Sequence, residues 1–288
     1  VDAYDGTVTL YEWDTTDPLL KTWMKVFPNQ VQPRASMPQA VLDHVRYPED
    51  IFKVQRAIFA RYHVTAPDVF FSGQDFWNVP NDPTRTTTSV AQPPYYLQVQ
   101  LPGSPEPVFS LTTTYAPQRR DTLAAFMGVN SEPGPDYGTI RVLQLPSQTT
   151  IPGPKQVQNN FESDPTVASQ LSLLRRGGSD VDLGNLLSLP VAGGVLYVEP
   201  VYVRATSGEG FPLLQKVLVG YGSKVAMRDT LQQALSDVFD GVPVTPPDNG
   251  NGNETPTPTP TPTPGEGTAE QRLAQAISDA QVAYAAGQ

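Results

Sequence analysis

The two histidines, His44 and His63, are the only imidazole groups in the chain, and they flank a helical pattern. Nucleophilic catalysis needs a base beside the nucleophile, and one of these rings would have to serve. The pattern over residues 48–62 predicts a helix about 20 Å long at 1.5 Å per residue, so the two rings are too far apart to share one metal or one substrate. We therefore predict that each histidine ends a helix and bonds to backbone or solvent.

Two groups of acidic side chains could support acid–base or metal chemistry. Glu49 and Asp50 lie in the first turn of the predicted helix, where the positive helix end accounts for them without catalysis. Asp180 and Asp182, with Asn185, offer oxygen ligands, but the calcium-loop pattern fails at the sixth and twelfth positions, which favours a solvated turn. The chain also has no cysteine. The sequence thus predicts no catalytic residue, no metal site and no cofactor.

An aromatic segment is the best candidate for a ligand groove. Its residues are Asp68, Phe70, Phe71, Asp75, Phe76 and Trp77. Aromatic rings can stack on a glycan or line a lipid groove, although core packing of a loop is the more frequent explanation for such rings. A cleft that holds Asp68, Asp75 or Glu199 beside the rings would favour ligand binding. A filled, convex surface would argue against it.

The helix over residues 48–62 must position both histidines, and it is expected to be central to the fold. Pro48 suits the first helical position. On a helical wheel, one arc is apolar and consists of Ile51, Phe52, Val54, Ile58, Phe59 and Tyr62. The opposite side holds Lys53, Arg56, Ala57, Ala60 and Arg61. We predict that the apolar arc faces the core, with Gln55 inside it, where a buried amide needs hydrogen-bond partners.

The remaining patterns predict an α+β body over residues 1–241, with mainly antiparallel sheet and packed helices. Helical spacing and capping residues favour helices at 17–27, 38–62, 155–176 and 229–240. Alternating patterns favour strands at 6–13, 95–101, 107–115, 121–129, 139–145, 181–189, 195–204 and 213–221. The strands at 95–101 and 107–115 are predicted to form a hairpin, and those at 121–129 and 139–145 a second pair.

A change in composition marks the end of this body. Residues 242–267 include a Thr-Pro repeat, which favours an extended spacer because it cannot form a core. Residues 268–288 then predict an amphipathic tail helix with an apolar stripe of Leu273, Ile277, Ala280 and Tyr284. Because a lone amphipathic helix leaves its apolar stripe exposed, we expect it to bind a partner.

Charge and hydropathy exclude several classes of partner. The net charge of −10 makes nucleic acid an unexpected ligand, since the phosphate backbone selects basic surfaces. The sequence has no leader pattern and no apolar run long enough to cross a membrane. We therefore expect an excised, soluble piece of a longer protein.

Several motifs in one collinear order resemble a known family. They include Arg46-Tyr47-Pro48-Glu49-Asp50-x-Phe52, Arg61-Tyr62-His63, Gly184-Asn185-Leu186-Leu187 and Leu196-Tyr197-Val198-Glu199-Pro200-Val201-Tyr202. Together they resemble an uncharacterised family of large multipass membrane proteins that is common in actinobacteria. The resemblance implies several N-terminal transmembrane helices, absent here, and then a large extracytoplasmic region at the plasma membrane, of which this chain is the later part. It carries over no catalytic residue.

Two hypotheses for function follow. The first is a non-catalytic extracytoplasmic domain that serves assembly or interaction at the cell envelope. Its partners would be its own transmembrane region and, through the tail helix, a second copy or another envelope protein. It would meet the membrane only through the missing N-terminal part. The second hypothesis is a glycan- or lipid-binding envelope enzyme or transporter accessory domain, with its ligand in the groove of residues 68–77.

Overall fold

A computed structural model describes residues 1–85, 88–146, 150–176, 178–191, 193–206 and 210–239. The predicted spacer at 242–267 and tail helix at 268–288 lie outside these residues. Within them the chain has an α+β fold, as predicted, with two large antiparallel sheets, one small parallel pair of strands and packed helices. None of the helices in these ranges is long and apolar enough to span a membrane.

The N-terminal part contains short elements. The strands β1 (Leu10–Tyr11) and β2 (Val31–Gln32) pair in parallel, and α1 (Pro18–Val26) lies between them in the chain. The Asp17 carboxylate caps α1 by accepting a hydrogen bond from the Leu19 N–H at 2.8 Å. The strand predicted at 6–13 is wrong in extent, because its partner β2 offers only two residues for pairing.

Three helices follow, α2 (Gln39–Leu42), α3 (Glu49–Tyr62) and α4 (Pro67–Ser72). The continuous helix predicted at 38–62 is therefore interrupted, because Pro48 is extended and restricts the residue before it. Helix α4 was not predicted from the sequence. Its signals are Pro67 at the first helical position and Gly73, which ends the helix with a φ of 66°.

The first large sheet has the order β3-β5-β6-β7, with β4 also paired to β5, and every pair is antiparallel. Its strands are β3 (Trp77–Asn78), β4 (Tyr95–Val99), β5 (Val108–Pro117), β6 (Ala125–Asn130) and β7 (Ile140–Gln144). The predicted hairpin of β4 and β5 is confirmed, and so is the pairing of β6 with β7. Helix α3 packs on this sheet.

The second large sheet has the order β12-β11-β10-β8, with β9 also paired to β10. Its strands are β8 (Ser179–Leu183), β9 (Leu187–Val191), β10 (Gly194–Ala205), β11 (Leu213–Tyr221) and β12 (Lys224–Arg228). The single strand predicted at 181–189 is wrong, because the chain turns at Gly184 and pairs twice with β10. A Cβ on Gly184 would lie 2.6 Å from the Pro200 ring, so this close approach requires glycine.

Helices cover both faces of the second sheet. The segment predicted as helical at 155–176 forms α5 (Pro154–Ser163) and α6 (Pro165–Leu174). Asp164 separates them and accepts hydrogen bonds from the first amides of α6. Both helices pack on one face with Leu218 and Val201, while α7 (Leu231–Val238) packs on the other with Val219. Thr230 caps α7 one residue later than predicted, so the helix begins at Leu231.

The two large sheets meet through a buried glutamine. The Gln92 amide donates to the Leu186 carbonyl at 2.8 Å, in the turn between β8 and β9. The side-chain oxygen Oε1 of Gln92 accepts a hydrogen bond from the Thr114 hydroxyl on β5 at 3.3 Å. Because an unpaired amide in the interior is unfavourable, these two bonds help to hold the two sheets in place relative to each other.

Candidate functional site: an apolar helix face and a polar cleft

Helix α3 is rotated about its axis relative to the prediction, so that only part of the predicted arc packs against the first sheet. Its buried side chains are Phe52, Arg56 and Ala60. Four members of the predicted core arc are exposed instead, namely Ile51 at 51%, Val54 at 60%, Ile58 at 53% and Tyr62 at 67%. The prediction that this arc faces the core is therefore wrong, although Phe52 and the partly buried Phe59 do pack there. We call Ile51, Val54, Ile58 and Tyr62 the outer face of α3.

Arg56 explains why the polar side can point inward. Its guanidinium donates to the backbone carbonyl of Gln92 at 3.0 Å and to the Thr113 hydroxyl at 3.1 Å. The carbonyl of Arg56 in turn accepts a hydrogen bond from the Tyr115 hydroxyl at 2.9 Å. Burial lowers the pKa of Arg56 from its usual value, because desolvation penalises the charged form. The sheet thus supplies polar partners that a wheel diagram of α3 does not show.

Gln55 and the two histidines have structural roles. The Tyr47 hydroxyl donates to the Gln55 carbonyl oxygen at 3.0 Å, so this half-buried amide has a partner. The Nδ1 atom of His44 lies 2.6 Å from the Ala40 carbonyl oxygen. In His63, Nδ1 and Nε2 each lie 3.0 Å from a backbone oxygen, and the ring stacks on Trp77. Both histidines bond to backbone, as predicted.

The residues of the candidate aromatic groove have different surroundings. Trp77 is buried in the core under α3, and Phe70 packs edge-on against Phe76, with ring centroids 5.2 Å apart. Phe71 is almost fully exposed, and Asp68 and Asp75 are exposed. Glu199 belongs to strand β10 of the second sheet.

Helix α1 repeats the pattern seen on α3. It is amphipathic, yet none of its side chains is buried. Its exposed apolar residues are Leu19, Trp23, Val26 and, at the C-cap, Phe27. The rings of Trp23 and Phe27 stack on one another with centroids 5.7 Å apart. Large exposed apolar side chains on two separate helices are typical of protein interaction surfaces.

A polar cleft of about 460 Å³ lies where three segments meet. Residues 78–85, 88 and 89 form one side, residues 116–121 another, and one face of α5 the third. The hydrophilic side chains in its lining are Asn78, Asn81, Asp82, Arg85, Thr88, Ser89, Arg120, Asp121, Lys155, Gln158, Asn159 and Glu162. Its volume falls within the range of roughly 300–1,000 Å³ that is usual for small-molecule sites.

The cleft is held together by local bonds. The buried Asp82 carboxylate accepts hydrogen bonds from the Thr84 N–H and hydroxyl at 3.0 and 2.7 Å, and Arg85 Nε lies 3.5 Å from it. The Gly153 N–H donates to the Asp121 carbonyl at 2.8 Å, and a Cβ on Gly153 would lie only 2.4 Å from that oxygen. Glycine is therefore required where α5 begins.

Glu199 lies directly behind the cleft and is fully buried. It shares a face of β10 with Val195, Tyr197 and Val201, which belong to the core under α5 and α6. Neither of its carboxyl oxygens has a hydrogen-bond partner among the described residues. The pKa of Glu199 is raised to about 8, mainly because burial penalises the charged form; the neighbouring carboxylates of Glu162 and Asp82 contribute to this rise.

Gln158 separates Glu199 from the cleft. Its side chain is 4% exposed, its Nε2 donates to Glu162 at 3.3 Å, and its Oε1 has no partner in the described part of the chain. Gln158 also lowers the pKa of Glu199, although their contact falls outside hydrogen-bond geometry. The sequence analysis missed Gln158, whose signal is its spacing with Pro154 and Phe161 on the buried face of α5.

Within the described ranges, no group of three or more His, Asp or Glu side chains is arranged so that it could bind a metal ion. Asp180 and Asp182 lie on β8, and both pair with Arg204 of β10 at 3.0 and 2.9 Å. They form part of a strand, and the solvated turn predicted for them is wrong.

Comparison with known proteins identifies the family. Residues 1–174 match the model of UPF0182, which is described as an uncharacterised protein family. The chain belongs to the UPF0182 family. It is 51% identical to a UPF0182 protein of Leifsonia xyli over 273 residues, which is 87% of this chain and 28% of that relative. It is 50% identical to one of Streptomyces coelicolor over 292 residues, covering 100% of this chain and 28% of that relative.

These relatives support the resemblance to an uncharacterised actinobacterial family. The UPF0182 chain spans little more than a quarter of the length of the curated relatives it matches, at 28% for the first three. No solved structure matches it significantly.

Proposed function

We propose that this part of the UPF0182 protein is a non-catalytic assembly domain, which uses the outer face of α3 to bind a non-polar protein surface. The observation that carries the proposal is the orientation of α3. Four large apolar side chains point to solvent, while a buried arginine takes the inner side. The solvent-facing side of a helix is normally polar, so the apolar side chains of Ile51, Val54 and Ile58 on that side indicate an interaction surface.

The occupant that we propose is a non-polar surface from the remainder of a longer UPF0182 polypeptide. The chain covers only 28% of its first relatives, so such proteins have ample additional chain to contribute a partner. Covering the exposed parts of the four side chains would contribute on the order of 1 kcal/mol each. Contact within one polypeptide also avoids most of the entropic cost of bringing two molecules together.

We also propose that the domain is extracytoplasmic at the plasma membrane and docks near its own transmembrane region. The support for this location is the resemblance of the motifs at Arg46–Phe52 and Leu196–Tyr202 to those of multipass membrane proteins. The tail helix at 268–288 remains a second proposed contact, for a further copy or another envelope protein.

A photo-crosslinking experiment tests the docking face. The longer protein that carries these residues is prepared with a benzophenone amino acid at Ile58 or, as a control, at Lys53, which is exposed on the same helix. We expect Ile58 to crosslink to another segment of the same polypeptide at least fivefold more than Lys53, as measured by mass spectrometry. Equal crosslinking at both positions would overturn the proposal.

A second experiment separates this occupant from a second copy. The 288-residue chain is compared with the variant I51S/V54S/I58S and with the matched variant K53S/A57S/R61S, which changes exposed residues of the same helix. We expect all three to sediment alike at micromolar concentration, because the outer face of α3 does not bind a second copy. A dimer that only the first variant abolishes would show that the outer face binds another copy.

The alternative function, ligand binding at the envelope, is favoured by a different region from the one that the sequence indicated. The polar cleft beside α5 has the volume and the convergent polar groups of a ligand site, whereas Trp77 and Phe76 pack inward. The groove at residues 68–77 remains a proposal that rests on the exposed Phe71.

A further inference from the structure

The floor of the polar cleft contains carboxyl groups that form no ion pair among the described residues, namely Glu162 and the adjacent Glu199. Asp82 also lines the cleft and acts on Glu199. Two cations of the lining are paired with other carboxylates, since Arg85 pairs with Asp82 and Lys155 pairs with Asp121. No cation contributes to the electrostatics of Glu199, whose only favourable neighbour is the Gln158 amide. The floor therefore has an excess of acceptor oxygens.

Burial makes this excess informative. Carboxyl oxygens in the interior are nearly always bonded, and each unsatisfied one is unfavourable by roughly 1–3 kcal/mol. Here Glu199 leaves both oxygens without a partner and Gln158 leaves one, and the two side chains are neighbours. Such a buried, unsatisfied group beside a cleft is a frequent property of ligand sites.

We propose that the cleft binds a small hydrophilic ligand through a primary ammonium group, which is held by Glu162, Gln158 and Glu199. An ammonium group carries three N–H donors, and three acceptor side chains are neighbours here: Glu162 and Gln158 line the cleft, and Glu199 lies next to Gln158. Binding in this way requires the Gln158 side chain to rotate, so that Oε1 faces the ligand and Glu199 becomes accessible. Arg85 and Arg120, at other points of the lining, are available to hydroxyl or phosphate oxygens of the same ligand.

The lining excludes other ligand classes. A divalent metal would need several carboxylates grouped around one point, and the described residues offer no such group. An entirely apolar ligand would leave the amides, hydroxyls and charged groups of the lining without partners, although Pro80, Pro83, Ala116 and Pro154 also give the cleft apolar surface.

Binding of an ammonium group must be coupled to a proton. Because burial raises the pKa of Glu199 to about 8, this carboxyl is protonated at pH 7. The charged groups that face it are Glu162 on α5 and Asp82 in the segment after β3, while Leu218 is its neighbour on β11. An arriving cation favours the carboxylate, so the Glu199 O–H bond breaks and the proton passes to buffer. The bound state then contains a carboxylate and an ammonium.

Calorimetry of the 288-residue chain with two matched pairs of probes tests the proposal. The first pair is glucosamine and N-acetylglucosamine, and the second is phosphoethanolamine and phosphocholine. In each pair the second molecule lacks the primary ammonium. We expect at least one amine to bind at least tenfold more tightly than its counterpart. The pair that responds tells whether the amine belongs to a sugar or to a lipid-type headgroup.

Two variants assign the binding to this floor. We expect E199Q and Q158L each to weaken binding of the amine at least fivefold, with circular dichroism showing that they remain folded, and D180N at the half-exposed Asp180 of β8 to leave binding unchanged. At pH 7 the wild type should release up to one proton, measured in buffers of different ionisation enthalpy, and E199Q should release none. Equal binding within both pairs, no binding by either amine, or wild-type affinity in both variants would overturn the proposal.

Discussion

The outer face of α3 and the floor of the polar cleft depart in opposite ways from the usual pattern, in which apolar side chains are buried and charged side chains are exposed. On α3, the side chains of Ile51, Val54 and Ile58 are exposed where a core was predicted. At the cleft, Glu199 is fully buried on a core face of β10. The first exception leaves apolar surface for a protein partner, and the second leaves polar atoms for a ligand. The outer face of α3 has apolar surface without a packing partner, whereas the cleft floor has polar atoms without a hydrogen-bond partner.

The largest expected effect compares the two sides of α3. Phe52→Ala removes a fully buried ring and should lower the free energy of unfolding by about 3–5 kcal/mol. Ile58→Ala removes a side chain that is already half exposed and should change it by less than about 0.5 kcal/mol in the 288-residue chain. Urea unfolding measures both. Comparable losses would mean that Ile58 is buried in solution and that α3 has no free outer face.

The next effect concerns Glu199. Its pKa is about 8 in the folded chain, against an ordinary 4.5, so the folded chain holds a proton that the unfolded chain releases. The stabilising effect of that proton is complete below pH 4.5 and is lost as the pH rises through 8. Glu199→Gln cannot ionise, and it should be more stable than the wild type by about 3 kcal/mol at pH 7.

Unfolding measured from pH 4.5 to 9 tests this expectation. The wild type should lose stability with rising pH, whereas Glu199→Gln should show a flatter profile across the same window. Glu106→Gln is the control, because Glu106 is exposed and does not line the cleft. A wild-type profile that is already flat would mean that Glu199 is charged in the fold and has a partner.

Most helices and strands could be predicted from the sequence, whereas the orientation of an element could not be predicted where contacts distant in sequence determine it. The alternation in β4, β5, β6 and β7 was sufficient for their pairing, because sheet faces follow directly from a period of two. The direction of α3 was not predictable, since the Gln92 carbonyl and the Thr113 hydroxyl that satisfy Arg56 are 36 and 57 residues away. An apolar arc predicts an interface, but it does not say whether that interface lies within the domain.

The two ligand regions differ in the same way. The aromatic groove was proposed from local composition, and local composition cannot show that Trp77 stacks on His63 under α3. The polar cleft combines three distant segments, so no local motif marks it. Two signals were accessible from the sequence: alternation with Val195, Tyr197 and Val201 places Glu199 on a core face, and helical spacing places Gln158 on the buried face of α5.

A smaller effect should sharpen the assignment of the cleft. Gly153→Ala brings a Cβ within 2.4 Å of the Asp121 carbonyl oxygen, which is backbone and cannot move aside easily. We expect a loss of about 1–3 kcal/mol in unfolding free energy and a displaced start of α5, which would also weaken the amine. Gly134→Ala is the matched control, since nothing lies within 4 Å of its added Cβ. Equal stability of the two variants would show that the loop of Asp121 adjusts freely.

The smallest expected effect contrasts Glu199 with an acidic residue that is exposed on the same sheet. Asp180 pairs with Arg204 at 3.0 Å, and both side chains are about half exposed, so water and salt screen the attraction. Asp180→Asn should therefore change the unfolding free energy by less than about 1 kcal/mol at pH 7, and addition of 0.5 M salt should reduce the difference further, to about zero. The same salt should leave the effect of Glu199→Gln nearly unchanged, because screening ions do not reach a fully buried carboxyl. If salt instead abolished both differences equally, Glu199 would be in contact with solvent, and the polar floor would be an ordinary hydrated surface rather than a site with unsatisfied acceptors.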